Sequence, residues 1–325
     1  MMTDTYYRPI PAEHGRWQLA GGWVRFSQFE VLRRGRTPVL SDHAPDDVLA
    51  ALTAPRADVL GLVMNRPRIM GIVNATPDSF SDGGAYEGVA QARRLTAQGA
   101  QILDIGGEST RPGALEVPVE AEIARIAPVI AATRALAAIS VDTRKSAVAR
   151  AAIAAGAGLV NDVSGFDFDP AMARVVADAR VPVCLMHAQG IPEDMQDNPT
   201  YGDVLLDVYD ALAERIARAE AAGIPRNWII VDPGIGFGKT EAHNLAILRR
   251  ISLFHALGCV VLLGVSRKRF IGNIAKAERP ADRAAGTLAV TLAGVAQGIQ
   301  IHRVHDVEET RQGLALWQAV TGGDK

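Results

Sequence analysis

Residues 69–84 read IMGIVNATPDSFSDGG, and the two halves of this stretch follow different rules. Ile69–Val73 is almost wholly apolar, which suits a strand buried on both faces. From Asn74 the stretch turns polar, with Thr76, Asp78, Ser79, Ser81 and Asp82 ahead of the Gly83-Gly84 pair. A buried strand that opens into a polar, glycine-ended loop is a common way to present hydrogen-bonding groups to a ligand. Taken alone, the loop reads equally as a solvated turn, although such a turn has no need of Phe80. The decision rests on whether the rest of the chain repeats the pattern.

It does. From Ile69 onward, short β-branched strands alternate with alanine-rich helices. The pattern predicts strand Ile69–Thr76 and a helix over about 89–98, then Ile102–Gly106 and Val119–Leu136, Ile139–Asp142 and Ser146–Ala155, and Leu159–Val163 and Ala171–Ala179. It continues with Val183–His187 and Val204–Ala222, Ile229–Asp232 and Ala242–Leu257, Val260–Val265 and Arg283–Gln297, and finally Ile301–Val304 and Val307–Val320. Gly99, Gly156, Gly223, Gly258 and Gly298 stand where helices end, as left-handed C-terminal caps require. Eight βα units in roughly 250 residues predict an α/β fold of the (β/α)8 TIM-barrel class, with an N-terminal extension. A doubly wound open sheet is the rival, disfavoured by eight uninterrupted repeats. The barrel spans 69–325. Residues 1–68 are weakly periodic, with scattered aromatics and short strands expected within Trp17–Leu32, and read as an appendage joined by a linker near Thr53–Arg56.

Composition narrows the function. The 325 residues are 48% hydrophobic and 22% charged, with a formal net charge of −2, so charge makes no case for nucleic acid or an anionic membrane as partner. Cys184 and Cys259 both sit in apolar runs, which fits buried thiols and a cytoplasmic location. No signal-peptide pattern opens the chain, and no run approaches the roughly 20 apolar residues of a membrane span.

In a barrel, active sites form at the C-terminal ends of the strands. Those ends carry Asn74; Asp104 followed by Gly106-Gly107-Glu108-Ser109-Thr110-Arg111-Pro112; Asp142; Asn161-Asp162; Met186-His187; Asp232; Ser266-Arg267-Lys268; and Arg303-Val304-His305. Any one of these could cap a helix, but polar groups at all eight ends are hard to explain by capping alone. The run Gly234–Thr240 is neither a Walker A loop nor a dinucleotide fingerprint, because Pro233 occupies the required first glycine and the glycines fall at 234, 236 and 238. His187, His243 and His255 lack metal-ligand spacing.

With these segments in hand, the chain resembles the dihydropteroate synthase family. The segments that carry the resemblance are Met70–Gly84, Leu103–Gly113 (LDIGGESTRPG), Val141–Thr143, Val160–Gly165 (VNDVSG), Leu185–Gln196, Val231–Lys239 (VDPGIGFGK), Gly264–Lys268 (GVSRK) and Arg303–Val307. The resemblance implies condensation of 6-hydroxymethyl-7,8-dihydropterin diphosphate with p-aminobenzoate, releasing diphosphate and 7,8-dihydropteroate. It also implies Mg2+, sulfonamide sensitivity and a homodimer formed through helices. By resemblance, Asp104, Asp142, Asn161, Met186, Asp232, Lys268 and Arg303 bind the pterin. Phe80, Thr110, Arg111, Pro112, Phe237 and Lys268 contact p-aminobenzoate. Asn74, Thr110, Arg111, Arg303 and His305 meet the diphosphate, with Asn74 on the metal, and Asn74, Asp82, Arg111, Lys268, Arg303 and His305 carry catalysis. A pterin-dependent methyltransferase or an inactive paralogue on the same barrel are the alternatives; intact diphosphate and loop residues argue against both. Two departures stand out: Ala75 where valine is commoner, and Arg269 after Lys268 where many members have serine.

Overall fold

The computed structural model describes residues 4–75, 85–109, 115–190 and 198–322. The N-terminal part forms an antiparallel sheet of β1 (Tyr6–Ala12), β2 (Trp17–Gln18), β3 (Arg25–Leu32) and β4 (Val39–Ser41), followed by helix α1 (Asp46–Thr53). Strand β3 is central, with β1 on one side and β2 and β4 on the other. Its inner face places Phe26 and Phe29 edge to face, 5.6 Å apart, in a small core with Leu19, Val24 and Leu52.

This unit is fastened to the barrel rather than tethered beside it. Tyr6 Oη donates to Asp210, and Trp23 Nε1 donates to Val295 O at 2.9 Å. Arg56, in the stretch expected to be a linker, is 9% exposed and donates to His255 O at 2.8 Å and Cys259 O at 3.0 Å. Just beyond it, Val59 and Met64 pack against Met70, Ile102, Leu159, Cys184, Ile230, Val260, Leu262 and Ile301. These belong to the barrel strands, so the chain before the first of those strands plugs the barrel floor.

The barrel strands are β5 (Arg68–Asn74), β6 (Ile102–Gly106), β7 (Ala138–Asp142), β8 (Leu159–Asp162), β9 (Val183–Met186), β10 (Ile229–Asp232), β11 (Val260–Leu263) and β12 (Ile301–Val304). All pair in parallel, and β12 returns to β5, so the sheet closes and the open-sheet rival is excluded. The outer helices are α2 (Ala85–Gln98), α3 (Val119–Thr133), α4 (Ser146–Ala155), α5 (Met172–Ala179), α6 (Val204–Ala221), α7 (Glu241–Arg249), α8 (Arg269–Ala275), α9 (Ala284–Val295) and α10 (Val307–Val320). None of the described helices is long and apolar enough to cross a membrane.

Within the barrel, two elements depart most from expectation. The helix predicted over Ala242–Leu257 breaks at Arg250 (φ −131°, ψ 25°) and continues as the 3-10 segment Ile251–Leu257. An extra helix, α8, precedes α9; it ends at Lys276 in a left-handed conformation that helical periodicity does not reveal. The five glycines expected at helix ends all have positive φ.

Side chains alternate across a strand, so the floor layer sets the orientation of everything above it. Two residues above Ile102, Leu159, Cys184, Ile230 and Ile301 stand Asp104, Asn161, Met186, Asp232 and Arg303. The intervening positions Leu103, Val160, Leu185 and Val231 belong to the apolar core cluster that includes helix residues. His302 lies on that outer side, fully buried, with Nε2 2.9 Å from Ile299 O, and burial pushes its pKa down to about 4.

An unfolded histidine titrates near about 6.5. Between that pH and about 4 the unfolded chain takes up a proton at His302 that the native chain refuses, so native stability is lost as pH falls through the window. The unfolding free energies of the wild type and His302→Gln should therefore converge or cross by roughly 3 kcal/mol over that range, as read from urea melts. A pH-independent difference would show that the buried imidazole does not act this way.

Candidate active site

The alternation gathers three carboxylates and their cations at the barrel mouth. Arg303 reaches across from β12, donating from Nε to Asp104 Oδ2 and from Nη2 to Asp142 Oδ2, both at 2.6 Å. Asn161 Nδ2 also donates to Asp104 Oδ2, at 3.0 Å. Register explains the cluster, because Asp142 lies opposite Gly106 on one side and Asn161 on the other. Gly106 leaves room there, since a Cβ on it would lie 3.3 Å from the Asp142 Cβ.

Burial pushes the Asp142 carboxyl up to about 7, against the pull of Arg303. The Arg303 guanidinium is itself held firmly charged: desolvation works against it, but Asp104 and Asp142 outweigh that cost. The second oxygens, Asp104 Oδ1 and Asp142 Oδ1, are buried with no hydrogen-bond partner among the described residues. Buried acceptors left unmade cost stability, so these two are poised for donors from a ligand.

Asp232 ends β10, with Oδ1 accepting from Gly234 N at 2.7 Å. Burial raises its carboxyl pKa, while Lys268 draws it back down. Lys268 follows Arg267, whose positive φ (59°) turns the chain at this strand end and whose side chain pairs outward with Asp306. The Lys268 amine donates to Ile235 O and sits 4.4 Å over the Phe237 ring; burial lowers its pKa to about 8. Met186 is buried beside Asp232 in register, and Asn74 closes β5 half-buried. His305 meets Ser266 Oγ through its backbone N at 3.0 Å and Nδ1 at 2.9 Å.

The structure therefore brings together Asn74, Asp104, Asp142, Asn161, Met186, Asp232, Phe237, Lys268, Arg303 and His305 around the mouth. Phe80, Asp82, Thr110, Arg111 and Pro112 lie outside the described residues. Ala75 is buried, with its N–H on Gly106 O, and Arg269 is exposed at the start of α8. Three groups in the arrangement lie in segments the sequence reading singled out but were given no role there. Ser266 meets His305, and Lys239 is buried with its amine on carbonyls of His187, Gly234 and Phe237. Glu108 is pinned by Arg144 at 2.8 Å and Lys145 at 2.5 Å, and accepts from Val117 N at 2.8 Å. Strand periodicity would have separated inward Asn161 from Asp162. The latter turns aside to cap the backbone of Ser164 and Phe166.

Residues 70–305 match the family described as Pterin binding enzyme, and the chain belongs to that family. It is 43% identical to the dihydropteroate synthase of Escherichia coli K12 over 264 residues, covering 79% of this chain and 93% of that one. Among solved structures, the Xanthomonas albilineans dihydropteroate synthase with 4-aminobenzoic acid superposes with a TM-score of 0.77 at 48% identity, covering 82% of this chain and 98% of that one. The same organism's enzyme in complex with 7,8-dihydropteroate gives a TM-score of 0.74 at 46% identity, with the same coverage. Within the family, this chain is an enzyme of the dihydropteroate synthase type.

Proposed function

We propose that this barrel joins 6-hydroxymethyl-7,8-dihydropterin diphosphate to p-aminobenzoate by an ionisation-first mechanism. The observation that carries the reading is the set of buried acceptors at the mouth, Asp104 Oδ1 and Asp142 Oδ1, beside the Asp232 carboxylate. A pterin edge presents an amino group next to a ring N–H, the donors such acceptors require. Asp232 takes that pair, Asp104, Asp142 and Asn161 complete the polar edge, and Met186 packs against the ring. Lys268 leaves Ile235 O to donate to the pterin carbonyl, and Arg303, held flat by two carboxylates, stacks on the ring face.

The bond between the pterin methylene and the diphosphate oxygen breaks first, and its electron pair leaves with the oxygen. The amine of p-aminobenzoate then attacks the pterin-stabilised cation, and the new ammonium loses its proton. No side-chain nucleophile takes part. Positive charge and donors must therefore face the leaving group, the role proposed for Arg303, His305, Thr110 and Arg111. Phe80, Asp82, Thr110, Arg111 and Pro112 would border p-aminobenzoate on one side, with Phe237 and Lys268 on the other.

Mg2+ is part of this reading. Among the described residues no group of three or more His, Cys, Asp or Glu could hold a metal. Mg2+ commonly keeps water and binds through one or two protein oxygens plus substrate phosphates. The Asn74 side-chain carbonyl together with the diphosphate fits that donor set. Bound there, the ion would neutralise charge on the leaving diphosphate.

We also propose a homodimer through helices. Helix α9 carries no charged residue, exposes Ala285, Ala289 and Ala293, and packs beside α10, where Leu316 is 68% exposed. A monomeric mass in sedimentation velocity would overturn this. The two free, buried cysteines suit a cytoplasmic location.

The deciding assay incubates the purified chain with both substrates and Mg2+ and follows dihydropteroate. Product should appear only when p-aminobenzoate is present, and a sulfonamide should compete with p-aminobenzoate. Absence of product from folded protein would sink the assignment.

A further inference from the structure

The segment 233–239 carries a buried cation that no step above uses. Lys239 is 2% exposed, and its amine lies 2.9 Å from Gly234 O, 3.0 Å from Phe237 O, 3.2 Å from His187 O and 2.9 Å from His187 Nδ1. An ammonium has three N–H donors and no acceptor. Four acceptors converging on it make this lysine the hub of a closed loop rather than a group that faces a ligand.

Burial dominates the titration of both partners. Burial, then the positive charge of Lys239, pushes His187 down to about 2, so its ring is neutral and Nδ1 can accept. Desolvation lowers the Lys239 pKa strongly, and Asp232 acts in the opposite direction, towards keeping the proton.

The hub ties two backbone segments together. A Cβ on Gly234 would fall 1.8 Å from His187 O, and one on Gly238 2.3 Å from Gln189 O, both at positive φ, so neither position accepts a side chain. Tyr201 Oη donates to Gly238 O at 2.7 Å, and Gly236 N donates to Asn244 Oδ1 at 2.7 Å. On the open side of the same loop stand the two groups that hold Lys268, namely Ile235 O and the Phe237 ring. The fixed point of the loop and its working face are therefore one covalent unit, six residues or fewer apart.

We propose that Lys239 is a positioning residue for the second substrate. By gathering the carbonyls of His187, Gly234 and Phe237, it sets the loop so that Phe237 and Lys268 keep the spacing that admits p-aminobenzoate. The inference rests on the reading that Phe237 and Lys268 border that substrate.

The test is Lys239→Met, which keeps the stem and removes the donors. The KM for p-aminobenzoate is expected to rise about tenfold, and the Kd for dihydropterin diphosphate, from calorimetry without p-aminobenzoate, to rise no more than about threefold. A purely structural lysine would lower the melting temperature and the active fraction but leave KM in place, and that outcome overturns the proposal. If the variant does not fold, Tyr201→Phe loosens the same loop at Gly238 and should raise the same KM about threefold. An unchanged KM there is equally decisive. Wild-type protein that makes no dihydropteroate would fail the proposed function itself, an outcome separate from either result.

Discussion

Asp232→Ala is expected to lower affinity for the dihydropterin diphosphate by two to four orders of magnitude while leaving the barrel folded. Hydrogen bonds to a charged acceptor contribute about 1.5–3 kcal/mol each, and two of them reach about 3–6 kcal/mol. The loss goes beyond those two bonds. Asp232 is also the anion that draws charge onto Lys268 and Lys239, so its removal leaves two partly desolvated amines less able to stay protonated. The fold should tolerate the change because, among the described residues, the carboxylate's hydrogen-bond partner is the loop N–H of Gly234. Calorimetric titration with the substrate in the absence of p-aminobenzoate is the direct measurement. Binding within threefold of wild type would place the pterin on another edge of the mouth.

The second large effect lies outside the pterin cluster. Lys145→Met is expected to destabilise the protein by about 3–5 kcal/mol, the usual cost of removing one member of a buried ion pair. Lys145 is 4% exposed, and its amine bonds Glu108 Oε2 at 2.5 Å, Val117 O at 2.6 Å and Glu122 Oε2 at 2.8 Å. Burial already raises the Glu122 carboxyl, with the Lys145 bond holding it back. For Glu108, bonds from Lys145, Val117 and Arg144 overcome the burial penalty and keep its carboxyl below the usual range. Without the ammonium, both carboxylates would be buried beside each other with too few donors. Urea denaturation should show the loss, and Lys145→Met combined with Glu122→Leu should recover part of it, since an apolar replacement removes an uncompensated charge. A single variant within about 1 kcal/mol of wild type would mean that water or Arg144 replaces the lysine.

Much of the site was legible because β-structure is locally periodic. The strand ends named Asp104, Asp142, Asn161, Asp232, Lys268 and Arg303, and each faces the mouth. Periodicity did not say which partner each would take. Arg303 bridges Asp104 and Asp142 in particular, from 199 and 161 residues away. That pairing depends on β12 closing against β5, a contact with no local trace. Lys239 was hidden for a related reason. Its motif resembles a phosphate loop, and only the packing of His187 against Gly234 shows the amine turned inward onto carbonyls.

The N-terminal extension marks the same boundary. Arg56 and Pro55 look like linker residues, because proline and charge beside a helix end usually mean solvent. Arg56 is instead buried between carbonyls of the 3-10 segment and of Cys259, just ahead of β11, while Val59 and Met64 fill the barrel floor.

By itself, then, the sequence determined the eight strand–helix units, the parallel barrel and the polar character of its mouth, since these follow from the spacing of neighbouring side chains. Tertiary structure alone decided which carboxylate meets which cation, which lysine faces the ligand and which holds the loop, and how the extension seals the floor. Those outcomes rest on contacts between residues far apart in the chain, and they exist only once the barrel has closed.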